Sequence, residues 1–322
     1  MPYLTYMMAE NFPPRPRIAV CLAAYNGMAW IKAQVDSILG QENVAIRIIV
    51  AVDRSDDGTE EWLRALATRD ARVILLPTER PASGGAAQNF FRLLREADFA
   101  GCDYIALSDQ DDIWLPGKLT RAVELLNKTH AQGYSSDVLA FWPDGQRKLI
   151  RKSQPQKIWD HLFEGPGPGC TFVLTSSLMA SLQAHLASCP QALAHISFHD
   201  WFIYAFARIQ GCPWVIDNHS HLMYRQHPSN AFGANWGCRA FQRRTLMALK
   251  GWHFKQARLI ARAVGAGHLE FVQRTLLAGP LGYFRLACLA GQCRRKRWDQ
   301  LMMALSLLLL GVKELFVRDR HA

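Results

Sequence analysis

The chain has 322 residues and is 50% hydrophobic, which excludes global disorder and leaves room for one large domain or two small ones. Its net charge of +10 is lopsided: residues 239 to 322 carry 16 Lys and Arg against 4 Asp and Glu, and all earlier residues carry 21 against 23. The basic character belongs to the C-terminal quarter, so the main body is excluded as a nucleic-acid binder of the basic-patch kind.

The eight cysteines are scattered and include no CxxC, which fits neither a zinc site nor a disulfide framework. Cys21, Cys170 and Cys288 sit in apolar runs and read as small hydrophobes. A reducing cytoplasm is the expected compartment. The N-terminal MPYLTYMMAENFPPRPR lacks the basic start and apolar run of a signal peptide. The longest apolar stretch, Leu301 to Val312, is too short to cross a bilayer as a simple helix.

In chain order, residues 1 to 16 read as a tail. Residues 17 to 24 (RIAVCLAA) form a compact apolar run ending in the turn Tyr25-Asn26-Gly27. Helical spacing follows from Met28 to Leu39. Ile46 to Val52 is a second buried strand, ending in Asp53-Arg-Ser-Asp-Asp-Gly-Thr59, and a helix follows through Trp62, Leu63 and Leu66. Val73 to Leu76 is a third strand, Ala86 to Ala97 a third helix, Tyr104 to Leu107 a fourth strand and Leu119 to Leu126 a fourth helix. Further on, strands are expected at 137–142, 170–175, 214–217 and 222–225, and helices at 177–187 and 199–209. Residues 143 to 157 read as a loop. The pattern from 239 onward is helical and basic.

Strands alternating with helices predict βαβ units: an α/β fold with a mostly parallel sheet flanked by helices. Ligands of such sheets bind outside the carboxyl ends of the strands. Three strands here end in polar clusters, AAYNG, DRSDDGT and SDQDD, which should converge on one crevice. SDQDD places Asp109, Asp111 and Asp112 in five residues. Crowded, desolvated carboxylates repel, so a compensating cation is expected. Mg²⁺ takes one or two protein carboxylates plus substrate phosphates. The plainer reading is an acidic turn in which Asp112 caps the following helix. Asp56 and Asp57 are expected to cap the helix near Thr59.

Taken together and in order, AAYNG, DRSDDGT, SDQDDIWLPGKL, HDWFIYAFARIQG and YRQHPSN resemble glycosyltransferase family 2, over about residues 17 to 233. The wording is most similar to its rhamnosyltransferase-like branch. The resemblance implies a GT-A fold and inverting transfer from a nucleotide-diphosphate sugar to a glycan or lipid-linked acceptor of bacterial surface polysaccharide. It implies a donor half at 17–127, an acceptor half at 128–238 and a basic helical extension at 239–322.

By this resemblance Ala23, Ala24, Tyr25 and Asn26 line the base pocket, and Asp53 accepts from the base. The family usually has two adjacent acids there; this chain has Val52-Asp53-Arg54-Ser55. Asp111 aligns with the ligand of Mg²⁺ or Mn²⁺, and Asp109 lies near the ribose and metal. His227 is the implied metal or diphosphate contact, and Arg225 supports the phosphates. Asp200 aligns with the base that takes the acceptor's proton, flanked by His199 and Trp201 on the acceptor side. Gly169 (with Gly167 and Cys170) shapes the acceptor pocket or forms a tight turn. Trp114 is expected at the crevice wall and Lys118 in solvent.

In the basic quarter, Arg294-Arg-Lys-Arg297-Trp298 directly precedes the apolar 301–312 stretch. That pairing suits an anionic membrane surface, and peripheral placement at the inner face of the plasma membrane follows. The other reading is a helical tail packed on the catalytic domain. Two further function classes compete. A nucleotidyltransferase should carry a basic, glycine-rich phosphate loop after its first strand; AAYNG has no basic residue and one glycine. A non-enzymatic nucleic-acid binder conflicts with the charge distribution and has no recognised binding motif.

Overall fold

The computed structural model of the protein describes residues 14–77, 84–228 and 251–318. Strands β1 (Arg17–Ala24), β2 (Ala45–Val52), β3 (Val73–Leu75) and β4 (Tyr104–Ser108) alternate with helices α1 (Ile31–Leu39), α2 (Thr59–Arg69) and α3 (Ala86–Glu96). The period of two along β1 divides its apolar run between two cores. Ile18, Val20 and Leu22 pack with Ile31, Val35 and Ile38 of α1. Ala19 and Cys21 face the other way, toward Phe90, Phe91 and Leu94 of α3. β1 pairs in parallel with β2 and β4, and β2 with β3.

The chain continues through β5 (Ile113–Trp114), α4 (Lys118–Thr129), β6 (Gly133–Ser136), β7 (Val138–Phe141), β8 (Arg147–Ile150) and β9 (Val173–Thr175). Then come α5 (Ser176–Ser188), α6 (Pro190–Leu193), α7 (His199–Ile209), β10 (Trp214–Asp217) and β11 (Leu222–Arg225). The main sheet has the order β10-β6-β9-β4-β1-β2-β3, and only β9 runs antiparallel to its neighbours. A mostly parallel α/β sheet is thus as expected. A second sheet, β5-β11-β7-β8, was not. The strand expected at 137–142 is β7 and belongs to this second sheet, β6 of the main sheet lies just before it and was not expected, and β8 falls inside the expected 143–157 loop. This small sheet positions the site. β5 and β11 run antiparallel, so the residues before β5 and those after β11 lie at the same end.

Beyond residue 250 follow α8 (Trp252–Ala263), α9 (Glu270–Arg274), α10 (Pro280–Cys288), α11 (Ala290–Cys293) and α12 (Arg297–Arg318). The expected boundary at 238/239 lies outside the described residues. These helices pack on the α/β body: Phe254, Ile260, Leu286 and Leu307 share one core with Phe91, Phe202 and Phe206. Arg295 is buried and reaches Asp160 at 3.2 Å and Glu164 at 3.4 Å. Arg294 lies 3.5 Å from Asp299. Half of the basic tetrad is therefore internal, correcting the reading of all four as a membrane patch. All seven described cysteines are free; Cys21 and Cys170 are buried, but Cys288 is exposed, against expectation.

Candidate active site

The carboxyl ends of β1, β2 and β4 form one connected rim. Tyr25 N–H donates to Gln110 Oε1 at 2.7 Å, and Gln110 Nε2 donates back to the Tyr25 carbonyl at 2.6 Å. A β-carbon at Gly27 would collide with the end of the Gln110 side chain, which would have to leave this position to admit one. Asn26 adopts a positive φ of 43°, and its Oδ1 accepts from Asp56 N–H. Asp57 accepts from both Thr59 N–H and Met28 N–H. It therefore ties the β2 loop to the β1 loop and, as expected, accepts the first N–H of α2, although the N-cap position itself is Gly58. The Asp56 carboxylate makes no cap. Ala24 is buried, Ala23 partly so, and Tyr25 is 57% exposed at the mouth. Asp53 is buried, its N–H held by the Ala24 carbonyl.

The antiparallel β5–β11 pairing brings SDQDD and YRQH together. His227 Nε2 lies 2.8 Å from Asp111 Oδ2, and its ring stacks on Trp30 at 3.9 Å. Arg225 N–H donates to Asp112 Oδ1 at 3.1 Å, and its Nε donates to the Asp111 carbonyl at 2.8 Å. The guanidinium also lies over the Phe141 ring. Arg225 thus braces the acidic loop. Asp112 is fully buried and is no helix cap: α4 begins at Lys118 with Gly117 at its N-cap position and no side-chain cap. Donor atoms of Asp109, Asp112 and Cys170 all lie within 4.8 Å of one another. Burial, then Asp111 and Asp200, push the Asp109 carboxyl up to about 7. Burial and the neighbouring carboxylates also raise Asp112 well above its ordinary range.

Asp200 stands in the first turn of α7 and accepts from Trp201 N–H at 2.7 Å. Burial pushes its carboxyl up to about 6, offset in part by the Lys152 charge. Asp200 lies within electrostatic reach of Asp109. His199 stacks on Phe90 at 3.9 Å, and burial holds it neutral, down to about 3. Gly169 is buried against it; a β-carbon there would collide with His199 Nε2. Trp201 is 4% exposed, donates to the His161 carbonyl and stacks on His253, so it is core rather than an acceptor contact.

Lys118 also departs from expectation. It is 2% exposed, with Nζ 3.5 Å from the centre of the Trp114 ring and no hydrogen-bond partner among the described residues. Burial pulls it down to about 7, against the opposing charges of Cys170 and Asp112. Asp112 and Cys170 thus favour its charged form while burial opposes it. Gln110 and Trp30 were likewise missed. Gln110 sits inside a motif read for its acids alone, and only the fold brings Trp30 to His227.

A seven-stranded α/β sheet with acids crowded at the carboxyl ends of its strands, backed by a small second sheet, defines a GT-A glycosyltransferase. The family model for "Glycosyl transferase family 2" matches residues 19–171. The chain is 35% identical over 288 residues to the dTDP-rhamnosyl transferase RfbG of Shigella flexneri, covering 89% of this chain and 99% of that protein. It is 26% identical over 171 residues to the Escherichia coli UDP-Glc:alpha-D-GlcNAc-diphosphoundecaprenol beta-1,3-glucosyltransferase WfgD, covering 50% and 61%. A crystal structure of S. aureus TarS 1-349 in complex with UDP-GlcNAc superposes with a TM-score of 0.52 at 11% identity, covering 94% and 92%, which shows a shared fold. The chain belongs to glycosyltransferase family 2.

Proposed function

We propose that the protein is an inverting, metal-assisted rhamnosyltransferase of bacterial polysaccharide synthesis, taking a dTDP-linked sugar to a hydroxyl of a glycan or lipid-linked acceptor. The observation that carries the site assignment is the convergence of Asp111 with His227 at 2.8 Å on the same crevice as Asp109 and Asp200. The 35% identical relative supports the donor. In this reading residues 17–127 bind donor, 128–238 bind acceptor and 239–322 form the helical extension, at the inner face of the plasma membrane.

Asp111 and His227, supported by Asp109, would hold the divalent ion. A carboxylate facing an imidazole fits such a group, and the nitrogen ligand suits Mn²⁺ better than Mg²⁺. When bound, the ion stabilises charge developing on the departing nucleotide diphosphate. Ala23, Ala24, Tyr25 and Asn26 hold the nucleotide base, and Asp53 accepts from it. Arg225 keeps the acidic loop in register below the phosphates. Asp200 takes the proton from the acceptor hydroxyl as its oxygen attacks the anomeric carbon from the face opposite the diphosphate. The bond to the diphosphate oxygen breaks with its electron pair, so one displacement inverts the centre. A carboxyl near 6 is largely ionised at neutral pH, yet more basic than an exposed one.

The test is a thermal-shift panel of dTDP, UDP and GDP sugars with and without Mn²⁺. dTDP-rhamnose should stabilise the protein, and more so with Mn²⁺. A panel in which no nucleotide sugar shifts the melting point contradicts the proposal.

A further inference from the structure

Helix α12 is apolar on two faces, and the protein covers one. Met303, Leu307 and Leu310 are buried against the body. Gly311 lets Phe284 of α10 approach; a β-carbon there would press on the Phe284 ring at 2.9 Å. On the outer side Trp298, Leu301, Leu305, Leu309, Val312 and Phe316 recur at spacings of three and four, each between 45% and 68% exposed. A surface helix ordinarily turns charge outward, and one apolar all round is ordinarily enclosed. This stripe spans most of a helix about 33 Å long. Exposure of that extent marks an interaction surface.

Charge selects the occupant. The acids of α12 are engaged by the protein: Asp299 faces Arg294 at 3.5 Å, and Glu314 accepts from the Tyr283 hydroxyl at 2.9 Å. Lys296, Arg297 and Lys313 are exposed and have no ion pair among the described residues. The outer face is therefore apolar and cationic. A second copy would bring like charges together, whereas an anionic lipid surface complements both properties. No helix among the described residues is long and apolar enough to cross a membrane, which fits a helix lying flat.

The start of α12 also adjoins the acceptor side of the crevice. Arg294 donates to the Phe163 carbonyl and Arg295 to the Gly165 carbonyl. Gly165 lies against the backbone of Trp201, next to Asp200. Lys152, whose charge acts on Asp200, is also within electrostatic reach of Arg294 and Lys296. We infer that α12 lies in the plane of an anionic lipid surface with its outer stripe inserted, and that this contact turns the Asp200 side of the crevice toward lipid-anchored acceptors.

The experiment is co-flotation of the full chain with phosphatidylcholine vesicles, with and without phosphatidylglycerol, in the absence of any sugar. Its failure therefore leaves the transferase reading standing. The wild type should float with the anionic vesicles and be released by salt. Lys296→Gln/Arg297→Gln should bind them about 30-fold more weakly. Leu305→Gln/Leu309→Gln should lose binding to the anionic vesicles with little change in melting, because about half of each side chain is exposed in the monomer. Equal partitioning of the wild type and both variants overturns the inference. So does a wild type that ignores vesicles but forms a dimer dissociated by Leu305→Gln/Leu309→Gln.

Discussion

Replacing Asp200 by Asn should stabilise the protein while abolishing transfer. The Asp200 carboxyl is held at about 6 in the folded state, against an ordinary 3.8, mainly by burial. The folded state thus binds its proton more tightly than the unfolded chain does. This penalty on folding is absent below about pH 4, grows as pH rises, and is complete above about pH 6. Two pH decades correspond to roughly 3 kcal/mol, and the partial exposure of the side chain reduces this to about 1–3 kcal/mol. Asn keeps the oxygen that accepts from Trp201 N–H and removes the charge. Urea unfolding of both proteins at pH 4.0 and 8.0 measures the difference. Asp200→Asn should match the wild type at the lower pH and exceed it by about 1–3 kcal/mol at the higher. A variant less stable at both, or equally shifted at both, refutes the assignment of a desolvated, ionised Asp200. The wild-type rate should fall as pH drops through about 6, where the base is lost.

Other consequences can be checked separately. Asp111→Asn and His227→Ala should each raise the Mn²⁺ concentration needed for half-maximal transfer at least tenfold, and chelation should abolish wild-type activity; titration of activity against Mn²⁺ decides. Gly27→Ala should break the reciprocal Gln110–Tyr25 bonds, lowering stability by about 1–2 kcal/mol and weakening donor binding in calorimetry. Arg295→Met removes the buried cation shared by Asp160 and Glu164 and leaves Arg208 at 3.3 Å from Asp160 and Arg294 at 3.9 Å from Glu164; chemical denaturation should show a loss of about 2–3 kcal/mol.

The parallel half of the fold was legible because its signals are local. The run 17–24 coincides with β1, and the helix expected at 86–97 differs from α3 by one residue. The apolar and β-branched strands end where polar clusters begin, so the crevice could be placed. The second sheet was not legible. β5 has two residues and β8 reads RKLI, too short and too polar to show a strand period. Without that sheet, nothing local shows that Arg225 and His227 meet Asp111 and Asp112. Asp112 and Lys118 were misread for one reason: each has the residue type of a helix terminus, and only tertiary packing buries it. Trp201 carries both a motif position and an aromatic body, and the core took it. For α12, the apolar length was visible from the sequence, but which face the protein covers depends on the placement of α10.

The most direct test of the proposed chemistry is the anomeric configuration of the transferred sugar, read by NMR on the product of one turnover from dTDP-rhamnose. A single displacement assisted by Asp200 predicts a product anomer opposite to that of the donor. Retention of the donor configuration contradicts it.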